Sequence, residues 1–158
     1  MVAVFDAASY VYNRYKKEFK EEIDEMKLHK LLYFAQRESI IQTGEILFEA
    51  TFSAWKFGPV LKEIRYAYKE KSFLKEIKAS VVAEMKPIMD RIFSDYAGKD
   101  SWSLSRLTHG EVSWQKSRIG IPEEVNGDRA MAVEDIREDA ERIKARREKL
   151  VRLGLYKE

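Results

Sequence analysis

DEMKLHKLLYFAQRESIIQTG, residues 24–44, decides the fold. Asp24 opens this stretch with a side chain that can accept from the free N–H groups of a first helical turn. Gly44 closes it with the residue type that most readily turns left-handed just past a helix. In between, Leu31, Leu32, Tyr33, Phe34 and Ala35 are apolar on every side of a 3.6-residue period. A surface helix buries one stripe, whereas a helix that is apolar all round has to be enclosed. Residues 24–43 are therefore predicted to be the central helix of a bundle.

Working outward, Ala8, Val11, Tyr12, Tyr15 and Phe19 recur at helical spacing opposite Asn13, Arg14, Lys16, Lys17 and Glu18, which predicts an amphipathic helix over residues 6–19 with Asp6 as N-cap. After Gly44, residues 45–57 are short and rich in Ile46, Leu47, Phe48, Phe52 and Trp55, and read as two short strands around Glu49 to Thr51. Gly58 and Pro59 then open a third helix to about Lys69, because proline at the first helical position gives up only an N–H that has no partner there. Its inner face is Val60, Leu61, Ile64, Ala67 and Tyr68.

Residues 71–80 fit two patterns: Phe73, Leu74 and Ile77 suit a helix end, while Ile77, Ala79 and Val81 alternate as an edge strand does. Met85, Ile88, Met89, Ile92, Phe93 and Tyr96 define a fourth helix ending at Gly98; Pro87 requires it to begin within the preceding turn or to kink. A fifth helix, residues 102–109, is capped by Asp100 or Ser101 in front and Gly110 behind. Gly120, Pro122, Asn126 and Gly127 make residues 114–129 a loop and the best candidate for a mobile segment. A last helix runs over residues 133–153, its acids early and its bases late, as the helix dipole favours. The expectation is a mainly α, single-domain bundle of about six helices spanning residues 1–158, with a short β-hairpin after the second helix.

Composition narrows the function. A chain of 158 residues can bury a core without metal or disulfide support, and 45% hydrophobic with 35% charged residues is too polar for a membrane protein. The run Met1 to Phe5 is too short for a signal sequence, so the cytoplasm is expected. With 29 basic and 27 acidic side chains the net charge of +2 makes no general case for nucleic acid, membrane or acidic substrates. Cysteine is absent, which removes thiolate zinc sites and thiol nucleophiles and suits a reducing compartment.

The remaining chemistry is sparse. Ser105 lies four residues before His109 and so on one helical face, but no third group or oxyanion hole is visible, and the pair reads as structural neighbours. No phosphate loop, metal-ligand spacing or cofactor motif appears, so no catalytic, metal or cofactor site is predicted. Six bases and one acid between Arg142 and Arg152, with Lys56, Lys62 and Arg65, could contact phosphates, which keeps a nucleic-acid-binding regulator as the alternative. The simpler reading is a solvated helix end. On the same helix Val133, Ile136, Ala140, Ile143, Arg147, Leu150 and Leu153 form a narrow stripe that fits one groove, either of this domain or of a partner. Trp55, Trp102 and Trp114 default to core or boundary, and any aromatic left exposed would anchor a protein partner.

Three segments, taken in order, resemble a known family. Met26-Lys27-Leu28-His29-Lys30-Leu31-Leu32-Tyr33-Phe34-Ala35-Gln36 is similar to a helix of pattern M-K-L-x-K-L-L-Y-x-A-Q. Phe52-Ser53-Ala54-Trp55-Lys56-Phe57-Gly58-Pro59-Val60 is similar to a turn F-x-A-W-x-[YF]-G-P-V. Leu104-Ser105-Arg106-Leu107-Thr108-His109 followed by Trp114 is similar to L-S-x-L-T-H-x(4)-W. Together they resemble the Panacea antitoxin domain, also called SocA-like or phage-associated GepA-type, over roughly residues 7–118. The resemblance implies a mainly helical domain of bacteria and phages, commonly encoded beside a toxin gene, whose members neutralise unrelated toxins by direct binding and have no established catalytic chemistry. It implies an antitoxin-like protein whose partner is a cognate toxin or a host or phage defence protein. Residues 119–158, a loop and a long charged helix, match none of its motifs.

Within the motifs, Leu28, Leu31, Leu32 and Ala35 read as core, and Gly58 and Pro59 as backbone devices for the turn and the helix start. Lys30, Tyr33, Gln36, Trp55, Thr108, His109 and Trp114 form either a polar and aromatic face that partners share or a buried hydrogen-bond network joining the second and fifth helices. Varied partners require varied surfaces, which favours the network and moves the expected partner contacts to Lys56, Phe57, Lys62, Arg65, Tyr66, Arg142, Arg146 and Arg147.

Overall fold

The computed structural model describes residues 1–156. Its elements are α1 (Val4–Phe19), α2 (Glu25–Thr43), β1 (Ser53–Trp55), β2 (Gly58–Val60), α3 (Lys62–Tyr68), α4 (Ala79–Asp95), α5 (Ser101–His109), α6 (Val112–Ser117) and α7 (Val133–Arg152). As expected, the fold is mainly helical with a two-stranded antiparallel hairpin after the second helix; the described residues form seven helices.

Helix α2 is the axis: α1, α4, α5 and α7 all pack on it. Leu28, Leu31, Leu32, Tyr33 and Phe34 are buried, and so are the charged residues Lys27, Lys30, Arg37 and Glu38. Its ends are local devices. Asp24 accepts from the Lys27 N–H at 2.8 Å, and Gly44 takes a φ of +80°. Helix α1 starts at Val4, two residues before Asp6, with Ala3 as an N-cap that offers no side-chain bond. A long-range contact fixes that start, because the Val2 N–H donates to the Leu47 carbonyl at 2.8 Å; Asp6 instead pairs with Lys75 at 3.1 Å.

The hairpin lies further along the chain than Glu49 to Thr51. Its register pairs Ser53 with Val60 and Trp55 with Gly58, leaving Lys56 and Phe57 as the turn. Residues 45–51 run as a strap held from α2, where Gln36 accepts from the N–H groups of Leu47 and Phe48 and donates to the Phe48 carbonyl. Pro59 therefore sits in β2 opposite Ala54, and α3 begins only at Lys62. On its other edge β1 is covered by the chain before α7, with Ala54 donating to Arg129 and Met131 donating to Phe52.

Residues 71–80 are neither helix end nor strand up to Lys78. The segment crosses α1, exchanging hydrogen bonds between Lys75 and the Ser9 hydroxyl, and buries Phe73 edge-on to Tyr12 at 5.8 Å. Helix α4 begins about two turns ahead of Pro87 rather than within one. The ring frees the carbonyl of Ala83, which lies on the exposed side where water can satisfy it, while Met85, Ile88, Met89 and Ile92 hold the other face in the core. The Asp100 carboxylate caps α5, accepting from Ser103 N–H at 2.9 Å.

The region read as a loop from residue 114 contains the end of α6, and the rest is tied down rather than loose. The Arg118 guanidinium donates to the carbonyls of Ala54, Pro122, Val125 and Asn126. Four neutral acceptors around one cation give a compact loop without a regular element. The stripe of α7 docks on this chain's own α2, burying Ile136 and Ala140, and its last turns extend past the core, with Val151 and Leu153 exposed. Among the described residues no helix is long and apolar enough to cross a membrane.

Candidate functional site

The three motif segments meet at the hairpin tip. Three alternate carbonyls of the tip each accept from a motif side chain: Trp55 from Trp114 Nε1 at 2.8 Å, Phe57 from the Ser105 hydroxyl at 2.6 Å, and Pro59 from Lys30 Nζ at 3.1 Å. Side chains from α2, α5 and α6 thus hold both strands and the turn between them by their backbone. Gly58 has a φ of +116°, and a Cβ there would lie 2.5 Å from Thr108 Oγ1 and 2.7 Å from Lys30 Cε. The glycine is required by both its backbone angle and the close approach of α2 and α5.

Lys30 is 1% exposed, and among the described residues no carboxylate bonds its ammonium. Burial pulls its pKa down to about 7 against weaker support from Glu25 and Asp24. His29 is also buried, which lowers its pKa; its Nδ1 accepts from the Leu61 N–H, so its Nε2 carries the proton and donates to Glu25 at 3.0 Å. The Thr108 hydroxyl donates to the Ser105 carbonyl within α5. Ser105 does not pair with His109: the His109 ring stacks on Trp114 at 4.1 Å, burial lowers its pKa, and its buried Nε2 has no hydrogen-bond partner among the described residues.

Tyr33 leads into a second network that reaches the last helix. Its hydroxyl lies 3.2 Å from Glu111, 3.0 Å from Ser113 and 3.1 Å from Asp139. Asp139 accepts from the N–H groups of Val112 and Ser113, capping α6 from α7. Burial pushes Glu111 up to about 7 despite its ion pair with Arg37, and Asp139 beside it adds to the rise. Burial also acts to raise Asp139, but hydrogen bonds from Ser113 and Val112 outweigh it and hold this carboxyl below its usual range. Sequence reading missed Arg37, Glu38, Glu111 and Asp139. The signal for the first two was their place on a helix predicted to be enclosed, where a charged side chain needs a partner.

The residues expected to contact a partner divide into two groups. Phe57 is 42% exposed at the tip and meets Trp102, 54% exposed, edge-on at 5.1 Å. Lys56 lies over the Phe57 ring, and Arg65 stacks on Trp55 while pairing with Glu25. On α3, Tyr66 is 77% exposed and Lys62 pairs with Asp128. On α7, Arg147 holds Glu38 through bonds of 2.8 and 3.0 Å, and Arg142 stands 3.6 Å from Glu111 and 3.5 Å from Asp139. Arg146 is exposed. None of these three α7 cations borders the tip.

Two cavities flank the tip and share Lys56 and Phe57 as a common wall. One, of about 310 Å³, is lined by Met26, His29, Lys30, Trp55, Val60 and Arg65, among others. The other, of about 290 Å³, is bounded by His109, Trp114, Arg118, Ile121 and Glu123. Among the described residues no group of three or more His, Asp or Glu is placed to hold a metal ion.

The family described as antitoxin SocA-like, Panacea domain, matches residues 28–115, more than half of the chain and including Lys30, the hairpin, α5 and Trp114. No curated protein and no solved structure matches the chain.

Proposed function

The chain belongs to the antitoxin SocA-like, Panacea domain family, and from this premise we propose that it neutralises a cognate toxin or defence protein in the cytoplasm by direct, stoichiometric protein–protein binding. The grip is the hairpin tip with the adjoining face of α3, through Lys56, Phe57, Lys62, Arg65 and Tyr66. Arg142, Arg146 and Arg147 on α7 offer a second, charged contact surface.

One observation carries this reading: the tip is fixed from behind by hydrogen bonds to three of its carbonyls, while Phe57 and Trp102 in front stay exposed as an edge-on pair. Exposed aromatics on an immobile backbone are suited to binding, because they contribute large contact area and little further ordering is needed when a partner arrives. The family's shared residues then build the platform, and the side chains on it are free to suit different partners.

The test is co-expression with the product of the neighbouring gene. A product that is toxic alone, harmless with this chain and recovered with it as an equimolar complex is the expected result. A product that is harmless alone, or stays toxic beside a folded and abundant copy of this chain, defeats the proposal.

A further inference from the structure

The cavity on the Trp55 side of the tip carries an excess of positive charge. Lys30, Lys56 and Arg65 border it with one acid, Glu25, and that acid is already engaged by His29 and Arg65. Neither Lys30 nor Lys56 has a carboxylate partner among the described residues. Met26, Trp55, Phe57 and Val60 supply apolar and aromatic walls, and His29 and Asn126 are the remaining polar members. Among the described residues, buried side-chain nitrogens without a hydrogen-bond partner are Arg37 Nε, away from the tip, and Trp55 Nε1 and His109 Nε2, whose residues line one cavity each. Asp128 lies near the Trp55 indole, and Lys62 together with that indole holds its carboxyl below the usual range. Lys30 is buried with the neutral Pro59 carbonyl as its acceptor and Lys56 is half-buried at the rim, so neither positive charge is compensated by an acid at this cavity.

We propose that this cavity receives a carboxylate side chain of the partner protein, presented on an extended segment that crosses the tip with an apolar residue on either side. The acidic group meets Lys56 at the rim and Lys30 at the wall. The apolar neighbours pack on Phe57 and on the aromatic wall of each cavity. The occupant is assigned by charge: Lys30, Lys56 and Arg65 outnumber Glu25 at this cavity, which favours an acidic segment there and repels a basic one. This rests on the reading of the chain as a protein-binding antitoxin, and it specifies the chemistry of the contact.

The probe is acetyl-Ala-Leu-Glu-Leu-Ala-amide, titrated into the whole chain alongside its Gln counterpart and followed by the Trp55 indole N–H resonance, assigned with Trp55→Phe. The Glu peptide is expected to shift that resonance saturably and to bind roughly 10-fold more tightly than the Gln peptide, the scale of one charge-assisted hydrogen bond. Lys56→Gln should abolish most of the difference, and Lys30→Met should reduce it. Equal affinity of the two peptides, or a native spectrum that the Glu peptide never perturbs, overturns the proposal. In the co-expression assay Lys56→Glu should lose neutralisation. If Lys56→Glu neutralises as fully as the parent chain, the carboxylate contact is refuted while the antitoxin reading stands. If the parent chain itself fails to neutralise, the antitoxin reading falls and the peptide titration still judges the cavity.

Discussion

A Cβ added at Gly58 would lie 2.5 Å from Thr108 Oγ1, so the hairpin backbone and α5 meet with no room for a side chain between them. Gly58 also holds a φ of +116°, where an L side chain is strained. Both effects act on one residue, and both place the tip in a fixed position over Lys30.

Gly58→Ala should therefore cost at least about 3 kcal/mol, combining backbone strain with overpacking. Urea unfolding measures it. Gly58→Ala with Thr108→Ala should recover only the part due to the Thr108 clash, since the contact with Lys30 Cε and the backbone strain remain, and a single variant within about 0.5 kcal/mol of the parent would contradict the geometry.

Lys30 gives a pH dependence of definite sign. Its folded pKa, about 7, lies below the ordinary 10.5, so between these values the unfolded chain binds more protons and stability rises with pH. The contribution is fully present above pH 10.5 and is lost as pH falls through about 7. Lys30→Met removes the linkage. Its stability should exceed the parent's near pH 6, on the order of a few kcal/mol, and vary less between pH 7 and 10. Parallel pH profiles for the two chains would show that Lys30 keeps an ordinary pKa.

Glu38 is 2% exposed and takes both of its bonds to α7 from Arg147. Arg147→Ala leaves a buried carboxylate unpaired and should destabilise by about 3 to 5 kcal/mol. Replacing both partners, Glu38→Leu with Arg147→Leu, should cost less than the single change. Thermal melts of the two single variants and the double read the coupling, and additive losses would mean that the pair does not join α7 to α2.

Arg118 holds the segment before α7 by donating to four carbonyls. Arg118→Lys keeps the charge but loses the planar fork that reaches several acceptors at once. Amide exchange in residues 119–128 should accelerate by roughly 10-fold or more, with the core of α2 unaffected. Unchanged protection in that loop would show that its glycine and proline turns suffice.

Phe57→Ala and Trp102→Ala each truncate an exposed member of the edge-on pair. Stability should change by no more than about 1 kcal/mol, while affinity for the neutralised partner, measured by titration calorimetry, should fall at least roughly 10-fold. Loss of stability without loss of affinity would mark the pair as structural.

Much of this architecture is local and was legible in the sequence. Asp24, Gly44 and Asp100 act within a turn of their own helices, and the apolar girth of Leu31 to Ala35 leaves α2 no stable place except the centre. Periodicity reports such features because they depend on neighbours three and four residues away. The order of the three motif segments indicated a shared structural task, but not which task.

The tertiary structure decided what depended on distant partners. Pro59 looks like a helix start beside Gly58, yet Ala54 across the hairpin and Lys30 beneath it place it in a strand. Arg147 looks like a solvated base on a charged helix, yet Glu38, 109 residues away in sequence, binds it. Glu111 fell in no motif and Asp139 was one of several early acids of the last helix, yet they close a buried network through Tyr33 and Arg37. A polar side chain tolerates either water or a buried partner, so its own sequence neighbourhood cannot choose between them; only the approach of the rest of the chain removes the water and makes the partner necessary.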